Sequence, residues 1–352
     1  VSKLRIAIDA ANLPNDKRGM GRIVRGYIAL WSADPALEVT LLGRSGSEER
    51  AIAAEFASRP VRTARAATAR ERRAYDCAWF PWNGMRFEAA APALLTVNDA
   101  FAFMYPHREP IARWREQEPI RRGARRATRI STPSHWSGAE IERRLAVPAA
   151  RISVIAYAPD AYWTARSGPS ETLLEAARGR RTVLAVGLRE ERKNALLLVE
   201  AAARALRAPE ERLIVVGEIS AEAKALLEAR AVPHAIVRAN DAELRTLYRQ
   251  ATLVAVPSLA EGFGLVAVEA MACGAPVLAA NAASLPEATG GAALLLDPRD
   301  PAAWAQAIRR VFDDPAYRAE LAARSAGRFA TCDRERPARE TLALLRSLSL
   351  EA

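Results

Sequence analysis

Cysteine and histidine are both scarce in this chain of 352 residues, with three of each. Cys77, Cys273 and Cys332 are odd in number and far apart, without a C-x-x-C pair or a histidine at metal-ligand spacing. A disulfide framework and a zinc site are thereby excluded as organising elements. No apolar run approaches the roughly 20 residues of a membrane-spanning helix. No secretory leader precedes Leu4, so the expected location is cytoplasmic, at most peripheral to the inner face of a membrane. Internal repeats of the solenoid kind are missing as well.

What is present is a globular composition, 50% hydrophobic and 26% charged, in a chain long enough for two domains. The net charge of +10, supplied almost wholly by arginine, points to anionic partners: nucleotide phosphates, nucleic acid or lipid headgroups. A basic module interleaved with aromatics is lacking, and nucleic acid is set aside.

The first predicted strand is LRIAID, Leu4 to Asp9, followed by a loop of turn formers and a helix from about Met20 to Trp31. Short apolar runs then alternate with helical segments through LEVTLL, DCAWF, PALLTV, TRIST and RISVI, which is a doubly wound α/β pattern. After Ile155 the period fades in AYAPDAYWTARSGPS, read as a linker. RTVLAVG, RLIVVG and ATLVAVPS restart the alternation as a second α/β domain. AAWAQAIRRVF and AYRAELAARSAGRFA read as helices, and a last Leu-rich helix from about Pro337 must lay its apolar face on something. The expected division is 1–165, 166–335 and a terminal helix at 336–352, with a ligand cleft where the strand C-termini of two open sheets present their loops.

The segment EGFGLVAVEAMACGAPV places Glu261 and Glu269 eight positions apart around a glycine-bracketed phenylalanine. It follows a strand, so Glu261, Gly262, Phe263 and Gly264 fall at the start of a helix, where N–H groups without intrahelical partners suit a phosphate. Two acids beside a diphosphate repel it unless they read neutral hydroxyls, which points to a sugar at one acid and a ribose at the other. The competing reading is a surface glutamate and a helix glutamate paired with arginine.

Starting with EGFGL, this spacing resembles the E-x7-E signature of retaining GT-B glycosyltransferases of family 4, and the similarity runs from Leu247 to Ile308. The resemblance implies an α/β GT-B fold: two Rossmann-like doubly wound domains, an N-terminal acceptor domain and a C-terminal donor domain, with the last helix returning to the first. It implies that Glu261 contacts the transferred sugar, Glu269 binds the ribose, and the backbone from Gly262 through Phe263 and Gly264 to Leu265 approaches sugar and phosphates. AVGLREERKN resembles the family's strand, glycine and basic-pair segment, which puts Lys193 on the donor diphosphate, with Arg192 and Arg189 as further contacts. Leu188 stands where the family often has a basic residue. KRGMGR resembles the family's glycine loop, so Gly19 and Gly21 join the binding residues; a dinucleotide fingerprint does not fit, since a third glycine is missing.

One departure concerns LLTVNDAFAF. Family members commonly read His-Asp here, whereas this chain has Asn98 and Asp99. Asparagine hydrogen-bonds a sugar hydroxyl but takes no proton at neutral pH; Asp99 is retained as a catalytic candidate. His107, His135 and His234 read as structural or exposed. FPWNGMRF, Phe80 to Phe87, reads as core packing or an acceptor platform.

The basic stretches RTARAATARERR and HREPIARWREQEPIRRGARR read as solvated faces, the second alternatively as an amphipathic helix on an anionic membrane. No D-x-D motif has a metal-binding context; FDDP near Asp313 reads as a helix cap. The expected function is a metal-independent hexosyltransferase (EC 2.4) without a cofactor. Its donor leans slightly to GDP-mannose through ERKN, with a UDP-sugar close behind. Its acceptor is a glycan, a lipid-linked sugar or a small molecule. The alternative is a nucleotide-sugar-binding subunit with weak or partner-dependent catalysis.

Overall fold

The computed structural model describes residues 3–17, 19–66, 75–88, 91–164, 177, 179–207 and 209–350. The chain divides into two units, Val1–Ala158 with Glu335–Ala352, and Pro159–Arg334. The expected boundary at 165/166 lies outside the described residues, and the division falls between Ala158 and Pro159.

The first unit contains β1 (Leu4–Asp9), α1 (Met20–Ser32), β2 (Leu37–Gly43), α2 (Gly46–Glu55), β3 (Val61–Arg65), β4 (Cys77–Phe80), β5 (Ala93–Thr96), α3 (Phe101–Met104), α4 (Pro110–Arg126), β6 (Arg129–Thr132), α5 (His135–Leu145) and β7 (Ile152–Val154). Its strands form a parallel sheet in the order β3-β2-β1-β4-β5-β6-β7. On one side, α1 buries Val24, Tyr27, Ile28 and Trp31, the spacing of one helix face. There Tyr27 stacks on Trp79 at 5.5 Å and Trp31 tilts against it at 5.2 Å.

The second unit contains α6 (Ala161–Thr164), β8 (Arg181–Leu188), α7 (Ala195–Ala205), β9 (Glu211–Ile219), α8 (Ala221–Ala229), β10 (His234–Val237), α9 (Asp241–Gln250), β11 (Leu253–Val256), α10 (Leu265–Ala272), β12 (Val277–Ala280), α11 (Leu285–Thr289), β13 (Leu294–Leu296), α12 (Pro301–Asp313) and α13 (Pro315–Ala330). Its parallel sheet has the order β10-β9-β8-β11-β12-β13. Strand order reverses between β1 and β4 in the first sheet and between β8 and β11 in the second, the points at which open α/β sheets present ligand-binding loops. The short α6, inside the stretch read as a linker, belongs here: Trp163 meets Tyr248 edge-on at 5.6 Å.

The last helix, α14 (Arg336–Leu350), lies on the first unit. Its Ala338, Leu342, Leu345 and Leu348 join the core of α1, β1 and β2, and Trp31 Nε1 donates to the Ala338 carbonyl at 3.2 Å. Burial of each of these leucines contributes about 1.5–3 kcal/mol, which ties the chain end to its beginning.

Several local readings change. β3 takes in the first four residues of the basic stretch RTARAATARERR, whose residues 67–73 lie outside the described set. Exposed Arg62 and Arg65 flank buried Ala64 there, so charge hid a parallel edge strand. His234 is the first residue of β10, partly buried. In FDDP the cap of α13 is Asp314, which accepts from Tyr317 N–H, while Asp313 pairs with Arg309. None of the three cysteines forms a disulfide, and burial pushes the Cys77 thiol up to about 12, which makes it unreactive. Among the described residues no helix is long and apolar enough to cross a membrane, and no group of three or more His, Cys, Asp or Glu is placed to hold a metal ion.

Candidate functional site

The β8 loop and the β11 loop of the second unit are laced together. Asn194 sits in the left-handed region at φ 55°, which asparagine tolerates better than most residues. From there its side-chain amide donates to the carbonyls of Pro257 at 3.1 Å and Pro298 at 2.8 Å. Leu259 N–H donates to the Arg192 carbonyl at 2.7 Å, and Arg192 Nη1 returns a bond to the Ala260 carbonyl at 3.1 Å. These bonds bring the basic pair to Glu261.

Glu261 is 8% exposed. Its Oε1 accepts from Lys193 Nζ at 2.6 Å and its Oε2 from Arg192 Nη1 at 3.2 Å. Burial pushes this carboxyl up, but the charges of Lys193 and Arg192 and the hydrogen bonds from Lys193 and Ser258 outweigh it and hold the group below the ordinary carboxylate range. Glu261 is therefore an anion at neutral pH, with two cations gathered on it. Its backbone carbonyl accepts from buried Ser284 at 2.8 Å, which fixes the loop.

Directly after it comes the amino end of α10, capped by Gly264 at φ 101°. A Cβ at Gly264 would meet Leu285 Cδ2 at 2.8 Å, so both backbone angle and packing demand glycine. Gly262, Phe263 and Gly264 are buried, and Leu265 begins the helix. Two turns along, Glu269 is half-buried and accepts from Tyr248 OH at 3.4 Å. Arg189 stands apart from the Glu261 cluster, paired at 2.7 Å with Glu218 on the exposed surface. It lines a cavity of about 630 Å³ with Gly217, Glu218, Lys224, Ile236 and Arg238 at the carboxyl ends of β9 and β10.

The remaining candidates lie in the first unit. Gly19 precedes α1 at φ 50°, and Gly21 N–H donates to Asp16 Oδ2 at 3.0 Å, so close that a Cβ would meet the Asp16 carbonyl at 2.0 Å. Asn98 is engaged at both ends of its amide, Oδ1 accepting from Tyr157 OH at 2.5 Å and Nδ2 donating to the Pro81 carbonyl at 3.2 Å. Its own N–H donates to Asn83 Oδ1 at 2.5 Å. Where the resembled family commonly has a histidine, Asn98 is thus a bracket between strand ends. Asp99 Oδ1 accepts from Phe101 N–H at 3.0 Å as α3 begins. In FPWNGMRF, Phe80 packs on Phe87 at 4.9 Å in the core, while Trp82 Nε1 donates to the Asp9 carbonyl at 2.7 Å.

Sequence reading passed over Asp9, at the carboxyl end of β1. It is 3% exposed, and its Oδ1 accepts from Ala11 N–H at 3.2 Å. Burial raises its carboxyl to about 6, against the lowering effects of that N–H, Arg44 and Arg86. Raised folded-state affinity for a proton means that stability is lost as pH climbs from about 4 to about 6, on the order of 3 kcal/mol. Asp9→Asn, which keeps the acceptor for Ala11, is expected to raise the melting temperature at pH near 7.5 and to have little effect near pH 4. Equal shifts at both pH values would remove the burial argument.

Sequence and structure comparisons bear on the fold and on the second unit's relatives. Residues 180–314 match the family model described as glycosyl transferases group 1. A D-inositol 3-phosphate glycosyltransferase 1 of Catenulispora acidiphila is 55% identical over 76 residues, 21% of this chain and 18% of that protein. One of a Nocardioides species is 44% identical over 111 residues, 31% of this chain and 24% of that protein. The chain thus spans about a fifth of the length of the curated relatives it matches. Among solved structures, Anabaena Alr3699/HepE in complex with UDP and glucose superposes with a TM-score of 0.75 at 16% identity, covering 98% of this chain and 100% of that one. WaaG, a glycosyltransferase involved in lipopolysaccharide biosynthesis, superposes with a TM-score of 0.71 at 14% identity, covering 97% and 99%.

Two doubly wound sheets of this topology define the GT-B fold class. Within that class, the stretch 180–314 of the second unit is similar to the group 1 glycosyltransferases.

Proposed function

We propose that the chain moves a hexose from a nucleoside-diphosphate sugar to an acceptor with retention at the anomeric carbon, as a family 4 hexosyltransferase independent of metal. The observation that carries this reading is the buried cluster of Lys193, Arg192 and Glu261 at the β8/β11 reversal, beside the glycine-built amino end of α10. Lys193 neutralises the departing diphosphate together with the helix N–H groups, the largest kind of electrostatic contribution a site makes. Glu261 orients hydroxyls of the transferred sugar, and Glu269 clamps the ribose. Arg189 and the cavity around it suit the nucleoside.

In the front-face route, the bond from the anomeric carbon to the diphosphate oxygen breaks as the acceptor oxygen bonds the same carbon. The departing phosphate oxygen takes the acceptor's proton. Such a route needs no protein base, which accords with an asparagine at position 98. The first unit, with Gly19, Gly21 and Asp99, supplies the acceptor side. The setting is cytoplasmic, in polysaccharide or lipid-linked glycan assembly.

ERKN leans toward GDP-mannose, and the Anabaena protein's complexes with UDP and glucose lean toward UDP-glucose. Calorimetry of the purified chain with GDP, UDP, ADP and their sugar conjugates, without added metal, separates these donors, and selective binding of one nucleotide is expected. Glu269→Ala is expected to weaken nucleotide-sugar binding about tenfold, the loss of a charge-assisted hydrogen bond or pair. Unchanged affinity would sink the ribose assignment. A second reading, a donor-binding subunit without independent catalysis, is favoured by the engaged Asn98 amide alone. Nucleotide release from the donor by the chain on its own would remove it.

A further inference from the structure

The helix α4 and the loop before it carry an apolar cluster that the transfer chemistry does not use. α4 is held on the first unit by buried Gln117, Ile120, Gly123 and Ala124, and Gln117 Nε2 donates to the Ala102 carbonyl at 2.7 Å. Ile111 and Trp114, three residues apart, lie on the opposite face, 68% and 61% exposed, and Tyr105 precedes them at 38%. Of the seven large apolar side chains exposed among the described residues, three therefore fall between Tyr105 and Trp114. Scattered apolar side chains are ordinary on a surface; a cluster of this kind marks a contact.

The charge around the cluster selects the partner. From Tyr105 to Arg126 there are seven arginines and three glutamates. Toward the helix end the arginines are engaged: Arg125 with Glu118 at 3.3 Å, Arg126 with Glu88, Arg122 on the Met85 carbonyl at 2.6 Å, and Arg121 over the Phe103 ring at 5.3 Å. Arg108, Arg113 and Arg115, which flank Ile111 and Trp114, have no ion pair among the described residues. An indole and an aliphatic side chain ringed by cations fit an anionic phospholipid surface, where the rings sit at headgroup depth and the guanidinium groups reach phosphates. The helix is anchored through its other face, so docking requires no refolding.

We propose that Tyr105, Ile111 and Trp114, with Arg108, Arg113 and Arg115, form a docking patch for an anionic bilayer surface. The test is sedimentation of the full chain with phosphatidylcholine vesicles and with vesicles containing phosphatidylglycerol; it needs no nucleotide sugar, so it stands or falls apart from the transferase reading. Expected is at least about tenfold preference for the anionic vesicles. Raised salt weakens it, and Ile111→Ala/Trp114→Ala and Arg113→Gln/Arg115→Gln each lower it by about tenfold or more, with unchanged circular dichroism. Binding retained in full by the Ile111/Trp114 double variant overturns the patch. Absence of vesicle binding overturns it too; a concentration-dependent dimer lost in the same double variant would then assign the cluster to a second copy of the chain.

Discussion

Lys193→Ala is expected to lower nucleotide release from the donor by about 10²–10³-fold, the cost of losing one fixed electrostatic donor to a charge that develops in the transition state. Lys193 Nζ is 2.6 Å from Glu261 Oε1, and its side chain is only 14% exposed, so the cation is held in place and poorly screened by water. Truncation removes that charge but leaves Glu261 paired with Arg192 at 3.2 Å, so the fold is expected to persist. Initial rates at saturating and limiting donor check the prediction, with Arg189→Ala as the comparison. Arg189 is exposed and paired with Glu218, and surface pairs contribute little, so its loss is expected to cost less than about tenfold. A Lys193→Ala rate within a factor of about two of the wild type would remove the lysine from the mechanism.

Glu261→Ala is expected to destabilise the second unit by about 3–5 kcal/mol, because it leaves the nearly buried Lys193 without its carboxylate, takes the acceptor from the Ser258 hydroxyl, and leaves Arg192 only Glu190 and the Ala260 carbonyl. The sign with pH follows from the depressed folded-state affinity for a proton. The stabilising contribution of Glu261 is present above the ordinary carboxylate range and is lost as pH falls through the lower folded value. The gap between wild type and variant therefore narrows in acid, as it does for Asp9→Asn, but with the opposite sign: at neutral pH the Glu261 variant is the less stable form and the Asp9 variant the more stable one. Urea unfolding near pH 7 measures the loss. Inorganic pyrophosphate supplies a second check: if Lys193 and Arg192 form a diphosphate cradle, added pyrophosphate raises the variant's midpoint more than the wild type's. A variant as stable as wild type, or one indifferent to pyrophosphate, contradicts the pairing or the cradle respectively.

Much of the second unit was legible because its signals are local. ATLVAVPS is an apolar run bounded by turn formers, EGFGL marks a strand-to-helix junction through its glycines, and the terminal helices show their period directly. Arg-rich β3 was not legible, since exposed arginines three residues apart on an edge strand imitate a solvated helix or loop. Asp9 also escaped notice: a single acid at the end of a strand carries no pattern, and its raised proton affinity comes from burial by other segments.

The cluster itself shows the same division. That acids stand at 261 and 269 and a lysine at 193, and that glycines open the helix between the two acids, is determined by residue type and spacing. That Arg192 spends its guanidinium on Glu190, Ala260 and Glu261, that Asn194 laces two loops together, and that Asn98 is engaged by Tyr157 were decided only in three dimensions. Helical period and turn chemistry act over a few residues, so the sequence by itself determined the alternation of elements and the chemistry offered at each strand end. The pairing of charges 68 residues apart depends on which strand ends the sheet order brings side by side, and burial there converts a solvated acid and base into a fixed ion cluster.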